Sequence, residues 1–137
     1  MVQKPKKLLN THEDLEVYQI AFNLAMEIFE LSKKFPGSEK YSLIDQIRRS
    51  SRSVCINISE GYRKRMYPLH FVSKMSDADM ENSETVVWLD FAFSCKYLDE
   101  KSYKQLVLKN QEIGKLLNYM IQNPEKFGVK KKDTEKK

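Results

Sequence analysis

The chain has 137 residues, of which 41% are hydrophobic, and it contains only four glycines and four prolines. This length and composition predict one folded domain with a buried core rather than a disordered chain. No apolar run approaches the ~20 residues that a membrane span needs, and the N-terminus lacks the apolar core of a secretory signal, so we expect a cytoplasmic protein with no membrane partner.

The net charge of +5 is distributed unevenly along the chain. Three lysines lie in residues 1–10, and five lysines against two acidic residues lie in residues 129–137. Lysine-rich ends of this kind are usually solvated. We therefore predict flexible basic tails at residues 1–11 and 128–137, and one folded domain at residues 12–127.

Capping and stop signals divide the domain into four helical segments, of which two lie in its N-terminal half. The first is predicted at residues 12–35, with Thr11 as its N-cap and a Pro-Gly pair after its end. The second is predicted at residues 39–61, with Ser38 as its N-cap and Gly61 placed to stop it.

Two further helices are predicted in the C-terminal half. One spans residues 68–98 and has Pro68 in its first turn, and the other follows the N-cap Asp99 and ends at Asn123. No stretch shows the alternation of a half-buried strand. The predicted fold is therefore all-α, a single antiparallel up-down-up-down four-helix bundle.

The first helix has more apolar surface than one bundle requires. A bundle helix needs an apolar arc of only about 100° or slightly more. Here one stripe contains Leu15, Tyr18, Phe22, Ala25 and Phe29, and a second contains Val17, Ala21, Leu24, Ile28, Leu31 and Phe35. Because large exposed apolar patches are rare on monomers, we predict that Val17, Leu24 and Leu31 contact another copy of the chain.

Two other helices carry apolar residues on their predicted outer faces. Ile56 lies among the arginines of the second helix. Trp88 and Phe91 continue a stripe of the third helix that is acidic in its first half. We add these three residues to the predicted interface between copies.

A basic cluster on the second helix is the main candidate for an anion-binding surface. Arg48, Arg49 and Arg52 lie in the sequence QIRRSSRSVCINISEG, and Arg63, Lys64 and Arg65 follow it. Arginines on one helix face suit the phosphate oxygens of a nucleic-acid backbone. Tyr62 and Tyr67 are candidates for stacking on unpaired bases or, alternatively, for capping the core.

A second interpretation of the arginines is equally open at this point. They can pair with carboxylates such as Glu81 and Glu84 on a neighbouring helix or subunit. Ile56 favours this interpretation, because an apolar residue among arginines often marks a protein contact.

Other kinds of site are not expected. Asp77, Glu81 and Glu84 share a predicted face with His70, but no Glu-x-x-His pair supports a metal site. The sequence also lacks a phosphate-binding glycine loop and a nucleophile elbow. We therefore expect no metal, no cofactor and no enzymatic activity, and we interpret Cys55 and Cys95 as buried free thiols.

Several segments resemble a known family of four-helix bundle proteins. They are DLEVYQIAFNLAMEIFELSKKFP, YSLIDQIRRSSRSVCINISEGYRKR, ENSETVVWLDFA and CKYL. The family includes proteins encoded in intervening sequences of bacterial large-subunit ribosomal RNA genes. It also includes the accessory variability proteins of diversity-generating retroelements. The resemblance covers about Asp14 to Met120.

The resemblance implies a left-handed bundle that assembles into a homopentameric, barrel-like ring. It also implies nucleic-acid binding through basic surfaces and a reverse transcriptase partner, as in the retroelement relatives. Carried over to this chain, the nucleic-acid contacts fall on Arg48, Arg49 and Arg52, with Arg63, Lys64 and Arg65 as an extension.

Two functional hypotheses follow from the sequence. The first is a non-enzymatic, oligomeric protein that binds RNA or DNA through its basic helix. The second is a protein-interaction scaffold, such as an accessory subunit of a reverse transcriptase, in which the arginines hold proteins together.

Overall fold

The structure of the chain is a computed structural model that describes residues 11–128. Within this range it contains four α-helices and no strand: α1 (Glu16–Ser32), α2 (Leu43–Arg63), α3 (Pro68–Ser94) and α4 (Glu100–Gln122). Three short 3-10 turns lie at His12–Asp14, Gly37–Glu39 and Pro124–Lys126. The predicted tails lie outside the described residues except for Thr11 and Gly128.

The four helices form the predicted bundle. Each helix packs against the next one in the chain, and α1 also packs against α4. No helix in residues 11–128 combines the length and the apolar composition of a membrane span. The core is made of aliphatic and aromatic side chains from all four helices, including Val17, Leu24, Ile28, Ile47, Val54, Ile58, Phe71, Met75, Leu89, Leu106, Ile113 and Leu117.

The helix ends agree with the predicted signals in some places and differ in others. Asp99 caps α4 by accepting a hydrogen bond from the Ser102 backbone amide at 2.7 Å, and Pro68 lies in the first turn of α3 as predicted. Ser38 does not cap α2, because the chain makes a 3-10 turn there and α2 begins only after Ser42. Thr11 caps the 3-10 turn that precedes α1.

The C-terminus of α3 comes four residues earlier than predicted. Lys96 adopts a left-handed backbone conformation with φ of 66°. The Tyr97 amide bonds the Ala92 carbonyl at 2.8 Å, and the Lys96 amide bonds the Phe93 carbonyl at 2.9 Å. This is the Schellman arrangement, in which a left-handed residue ends a helix. A lysine in this position carries no sequence signal, because glycine is the usual residue there.

The structure corrects the predicted role of the second stripe of α1. Val17 and Leu24, predicted to contact another copy, are each 2% exposed and lie in the core of the single chain. Leu31 is half-buried against the same core. The interface prediction is therefore wrong for Val17 and Leu24. Because α1 packs against both α2 and α4, the single bundle covers a wider arc of this helix than one neighbour could.

Buried polar side chains set the register of three helices. The hydroxyls of Ser50 on α2 and Thr85 on α3 lie 2.8 Å apart. Asn82 on α3 donates to the Asn110 carbonyl of α4 at 2.9 Å, and the Asn110 amide donates to the Asn82 side-chain oxygen at 2.8 Å. Sliding one helix by a residue would leave these buried groups unpaired, which is costly in an apolar core.

Gly61 is packed tightly against α3, and it does not stop α2 as predicted. The helix continues to Arg63, and Gly61 has no positive φ. A Cβ atom at this position would lie 2.6 Å from Met75 Cε and 2.9 Å from Lys74 Cβ. The glycine is therefore needed for close packing of the two helices.

We predict opposite effects of alanine at the two helical glycines. Gly61→Ala should destabilise the protein, because an overpacking cost of roughly 1–3 kcal/mol exceeds the helix-propensity gain of about 1 kcal/mol. Gly114→Ala is the control: its Cβ would meet no atom closer than 3.7 Å, so the propensity gain should remain. Urea unfolding of both variants measures the two changes. A stabilised Gly61→Ala protein would contradict the assigned role of close packing.

Candidate nucleic-acid interface

The outer face of α2 and the adjacent edge of α1 gather several cations around one aromatic ring. The guanidinium carbons of Arg48 and Arg52 lie 4.8 and 5.7 Å from the ring centroid of Phe29. Lys33 Nζ lies 4.7 Å from the same centroid. We call Phe29, Lys33, Arg48 and Arg52 the cation cluster. Two of the three predicted arginines are thus brought together by a phenylalanine that the sequence assigned only to an apolar stripe.

Arg48 is the anchored member of the cation cluster. Its Nε donates to the Ser32 hydroxyl at 2.8 Å, and Ser32 in turn donates to the Phe29 carbonyl at 3.0 Å. Ser32 is fully buried. The stacked and hydrogen-bonded guanidinium is held in place before any ligand arrives, so less side-chain entropy is lost on binding.

Arg49 has a different role from its neighbours. It forms a salt bridge to Glu84 and a second one to Glu81, the latter with an Nη1–Oε2 distance of 3.4 Å. Partial burial acts to lower the pKa of Arg49, but these two carboxylates outweigh that effect and raise it above its ordinary value. For Arg49 the alternative interpretation, pairing with Glu81 and Glu84, is confirmed, and both carboxylates belong to the same chain.

A shallow surface cavity of about 590 Å³ runs along this face of α2. Its lining includes Arg48, Arg49 and Arg52, with the exposed side chains of Tyr41 and Ile56 at its two ends. The remaining lining residues are Lys40, Ile44, Asp45 and Ser53. Glu81 and Glu84 offset the charge of Arg49, which leaves Asp45 against Lys40, Arg48 and Arg52, so the cavity is basic.

Sequence reasoning missed Lys40 and Tyr41, although the sequence contained a signal for them. Residues 41, 45, 48, 52 and 56 are separated by steps of four and three, which places them on one helical face. Lys40 and Tyr41 lie in the turn that precedes α2, and they extend this face beyond the start of the helix. Tyr41 is 84% exposed, which leaves its ring free to stack on a planar group.

The second predicted group, Arg63, Lys64 and Arg65, lies at the C-terminal end of α2. Arg63 is fifteen residues from Arg48, or about 22 Å along a helix. Arg65 stacks on Tyr62 with its guanidinium carbon 4.1 Å from the ring centroid, and it donates to the Tyr62 carbonyl at 3.0 Å. The structure therefore divides the predicted basic residues into two separate sites.

The predicted interface residues outside α1 lie at the surface of the bundle. Ile56 and Phe91 are 57% and 55% exposed, whereas Trp88 is half-buried and donates to Glu84 at 3.1 Å. The structure adds a feature that the sequence reasoning missed. The side of α3 that faces away from the core carries the exposed side chains of Leu69, Met80, Val87 and Phe91, which we call the outer α3 stripe.

Two of the three carboxylates that were considered as metal ligands pair with an arginine instead. Glu81 and Glu84 bind Arg49, and Asp77 is exposed. In residues 11–128 no three His, Cys, Asp or Glu side chains are grouped closely enough to hold a metal ion.

The two cysteines lie in unlike environments. Burial raises the pKa of the Cys55 thiol to about 12, so the reactive thiolate is scarce at neutral pH. Cys95, which was predicted to be buried, is exposed because α3 ends at Ser94 and the chain turns at the surface.

We predict that the Arg49–Glu84 pair contributes little to stability. Both side chains are more than a third exposed, and exposed ion pairs typically couple by about 0.2–1 kcal/mol. A double-mutant cycle of Arg49→Ala and Glu84→Ala, measured by urea unfolding at low protein concentration, gives the coupling free energy, and added salt should reduce it. The exposed Lys104–Glu100 pair provides the reference. A coupling far above this range would show that another molecule shields the pair from water.

Known proteins resemble this chain in both sequence and structure. Residues 13–119 match the family described as 23S rRNA-intervening sequence protein. A crystal structure of a protein of unknown function from the S23 ribosomal protein family of Bacteroides thetaiotaomicron is 27% identical, with a TM-score of 0.69. That likeness covers 77% of this chain and 95% of the other. No curated protein matches the chain. The chain belongs to the 23S rRNA-intervening sequence protein family.

Proposed function

We propose that the protein is a non-enzymatic, oligomeric nucleic-acid-binding protein that holds a phosphate backbone on the outer face of α2. The observation that carries this proposal is the cation cluster, in which Arg48, Arg52 and Lys33 surround the ring of Phe29. Within residues 11–128, Arg48 and Arg52 have no carboxylate partner within salt-bridge distance. Their charges are therefore available to a ligand, unlike that of Arg49.

The chemistry of this face suits phosphodiesters. Guanidinium groups form charge-assisted, often bidentate hydrogen bonds to phosphate oxygens. Lys40 adds a further cation at the end of the cavity, next to the exposed ring of Tyr41. Cations that track a backbone, with an aromatic ring for stacking, are typical of proteins that bind single strands without sequence preference.

We predict that Lys40→Gln with Arg52→Gln weakens RNA binding and reduces its salt dependence. Both side chains are exposed, so the fold should be retained. The slope of log K against log salt is negative, and for single strands each lost phosphate contact makes it less negative by about 0.7, so two lost contacts should reduce its magnitude by about 1.4. Fluorescence anisotropy with a labelled single-stranded RNA at several salt concentrations measures this slope.

The matched control for this variant is Lys101→Gln with Lys104→Gln on α4. It removes two positive charges from an exposed part of α4 that does not line the cavity. It should bind RNA as the unchanged protein does. Equal weakening by both pairs would mean that only net charge matters and would contradict a site on α2.

We further propose that the protein forms a homopentameric ring and that the outer α3 stripe is the contact between copies. This stripe replaces Val17 and Leu24 as the proposed contact, because those two residues are buried in the core of the single chain. Met80 is 71% exposed, and no helix of the same chain covers it within the described residues. Ser73, Ser76 and Ser83 are also exposed on α3, and their side chains are short enough for close approach of another helix. A second copy is the occupant expected from the ring assembly that the family resemblance implies.

Lysines in the outer α3 stripe should break the assembly. We predict that Met80→Lys with Val87→Lys converts the protein to a monomer, because burying two charges without partners costs more than the contact gains. Sedimentation velocity measures the assembly state, and urea unfolding checks that each chain still folds. Leu108→Lys, at an exposed site on α4, is the control and should leave the ring intact. If the double variant forms the same oligomer as the unchanged protein, the outer α3 stripe is not the contact between copies.

The interaction-scaffold hypothesis is favoured by one specific observation. Ile56 is 57% exposed in the same cavity as Arg49, whose charge is already paired with Glu81 and Glu84, and an exposed apolar side chain there suits contact with another protein. If Lys40→Gln with Arg52→Gln leaves RNA binding intact but disrupts the oligomer or capture of a reverse transcriptase, the scaffold is the better description.

A further inference from the structure

We propose that the cavity on α2 recognises one base of a bound single strand and that guanine is the base it prefers. The base stacks on Tyr41, and the carboxylate of Asp45 accepts hydrogen bonds from the edge that guanine uses for base pairing. Both side chains line the cavity that also contains Arg48 and Arg52. The inference rests on the proposed function and deepens it, because it adds a base preference to a contact otherwise made through charge.

Asp45 is an unusual residue for a cavity that binds phosphate. A carboxylate repels phosphate oxygens, so it opposes the attraction that the neighbouring cations provide. Arg48 and Arg49 follow it by three and four residues, a spacing at which opposite charges on a helix often pair. Neither pair forms, and within residues 11–128 the Asp45 side chain has no hydrogen bond or salt bridge. Its two oxygens are therefore free to accept from a ligand.

Both neighbouring arginines are held by other partners. Arg48 donates its Nε to the Ser32 hydroxyl at 2.8 Å and stacks on Phe29. Arg49 donates its Nε to the Gln46 side chain at 3.2 Å and pairs with two carboxylates of α3. The tertiary structure thus leaves an exposed, unpaired carboxylate at Asp45 although two arginines lie close to it in sequence.

The start of α2 does not use the hydrogen-bonding capacity of this carboxylate. Asp45 is the third residue of the helix, and Ser42 and Asp45 have the spacing of a capping box. Neither hydrogen bond of the box is formed. The Ser42 hydroxyl donates to the Glu39 side chain instead, and the Ser42 amide donates to the Glu39 carbonyl at 3.1 Å. The negative charge still suits a helix N-terminus, but that effect needs no particular partner.

Tyr41 supplies the surface on which a base can stack. Most of its side chain is exposed, and it lies outside the core. Lys40 Nζ lies 5.3 Å from the ring centroid on one face, which leaves the opposite face for a base. Unpaired bases commonly stack on aromatic side chains while neighbouring groups bond their edges. Arg48 and Arg52 follow Asp45 by about 4.5 and about 10.5 Å along the helix axis, where they can hold the adjoining phosphates.

The hydrogen-bonding groups of the four bases make guanine the best match for this carboxylate. An ionised carboxylate has two acceptor oxygens and no donor. Guanine presents two adjacent donors on its pairing edge, N1–H and the N2 amino group, which match both oxygens. Cytosine and adenine each present one amino donor beside a ring nitrogen that accepts, whereas uracil flanks its single N–H with two carbonyl oxygens. The expected order of affinity is therefore guanine first, cytosine and adenine next, and uracil last.

The base preference can be measured with labelled single-stranded RNAs of about 10 nucleotides, a length within the usual range for one site. One strand is all uridine, and the other three carry guanosine, adenosine or cytidine at every third position. In fluorescence anisotropy at one salt concentration, the guanosine strand should bind at least about five-fold more tightly than the uridine strand, which is the lower end for a bidentate base contact. Equal affinities for all four strands would overturn the inference.

Asp45→Asn is the variant that tests the carboxylate. It keeps the size of the side chain but removes one acceptor and the charge. The guanosine strand should therefore lose its advantage, while the uridine strand binds as tightly as before or more tightly. Glu112→Gln is the control, since it removes one negative charge from an exposed position on α4 outside the cavity and should keep the preference.

Two variants of Tyr41 test the stacking surface. Tyr41→Ala should weaken the binding of all four strands several-fold, because each base can stack on an aromatic ring. Tyr41→Phe keeps the ring and should bind as the unchanged protein does. Normal binding by Tyr41→Ala would show that no base stacks there and would contradict the inference.

The outcomes separate this inference from the proposed function. If Lys40→Gln with Arg52→Gln weakens RNA binding but the unchanged protein does not distinguish the four strands, the base preference is wrong and the phosphate site stands. If the unchanged protein binds no RNA, the proposed function fails and the inference fails with it. If Asp45→Asn alters urea unfolding but keeps the guanosine preference, the carboxylate serves only the start of α2. Competition by guanosine monophosphate as strong as that of the guanosine strand would assign the cavity to a free nucleotide and overturn the inference.

Discussion

The organisation of this protein depends on the register of α3 between α2 and α4. Thr85 bonds Ser50 on one side, and Asn82 exchanges hydrogen bonds with Asn110 on the other. Because these groups are buried, an alternative register would leave them without partners. Near the C-terminus of α2, Gly61 permits the close approach that this register requires. This register determines which face each helix presents to its neighbours. It therefore determines which charged side chains pair with one another and which remain available to a ligand.

The same register explains why neighbouring arginines have different roles. Glu81 and Glu84 are the immediate neighbours of Asn82 and Thr85 on α3, and they pair with Arg49 and neutralise it. Arg48 and Arg52 project toward α1 instead, where Phe29 receives them. One helix thus presents a paired cation to its neighbour and unpaired cations to solvent. A nucleic-acid phosphate backbone would contact the unpaired cations, Arg48 and Arg52.

The two faces of α3 show how a bundle can assemble further without losing its own core. Its inner face buries Met75 and Leu89, while Met80 and Val87 on the opposite side remain exposed. Apolar residues on both sides of one helix are consistent with a core inside the chain and a contact outside it. The cation cluster lies between α1 and α2, so an assembly through the outer α3 stripe would leave it accessible. The proposed ring and the proposed nucleic-acid site are therefore compatible.

The sequence alone determined the class of fold, because four runs with helical periodicity, the cap at Asp99 and Pro68 are local signals. It also located the basic residues and the family to which the chain belongs. It could not say which stripe of α1 is buried, because that depends on how many helices pack around α1. It could not distinguish Arg49 from Arg48 and Arg52, since their partners lie on different helices. Only the tertiary structure decided these points, because contacts between residues far apart in sequence leave no local pattern.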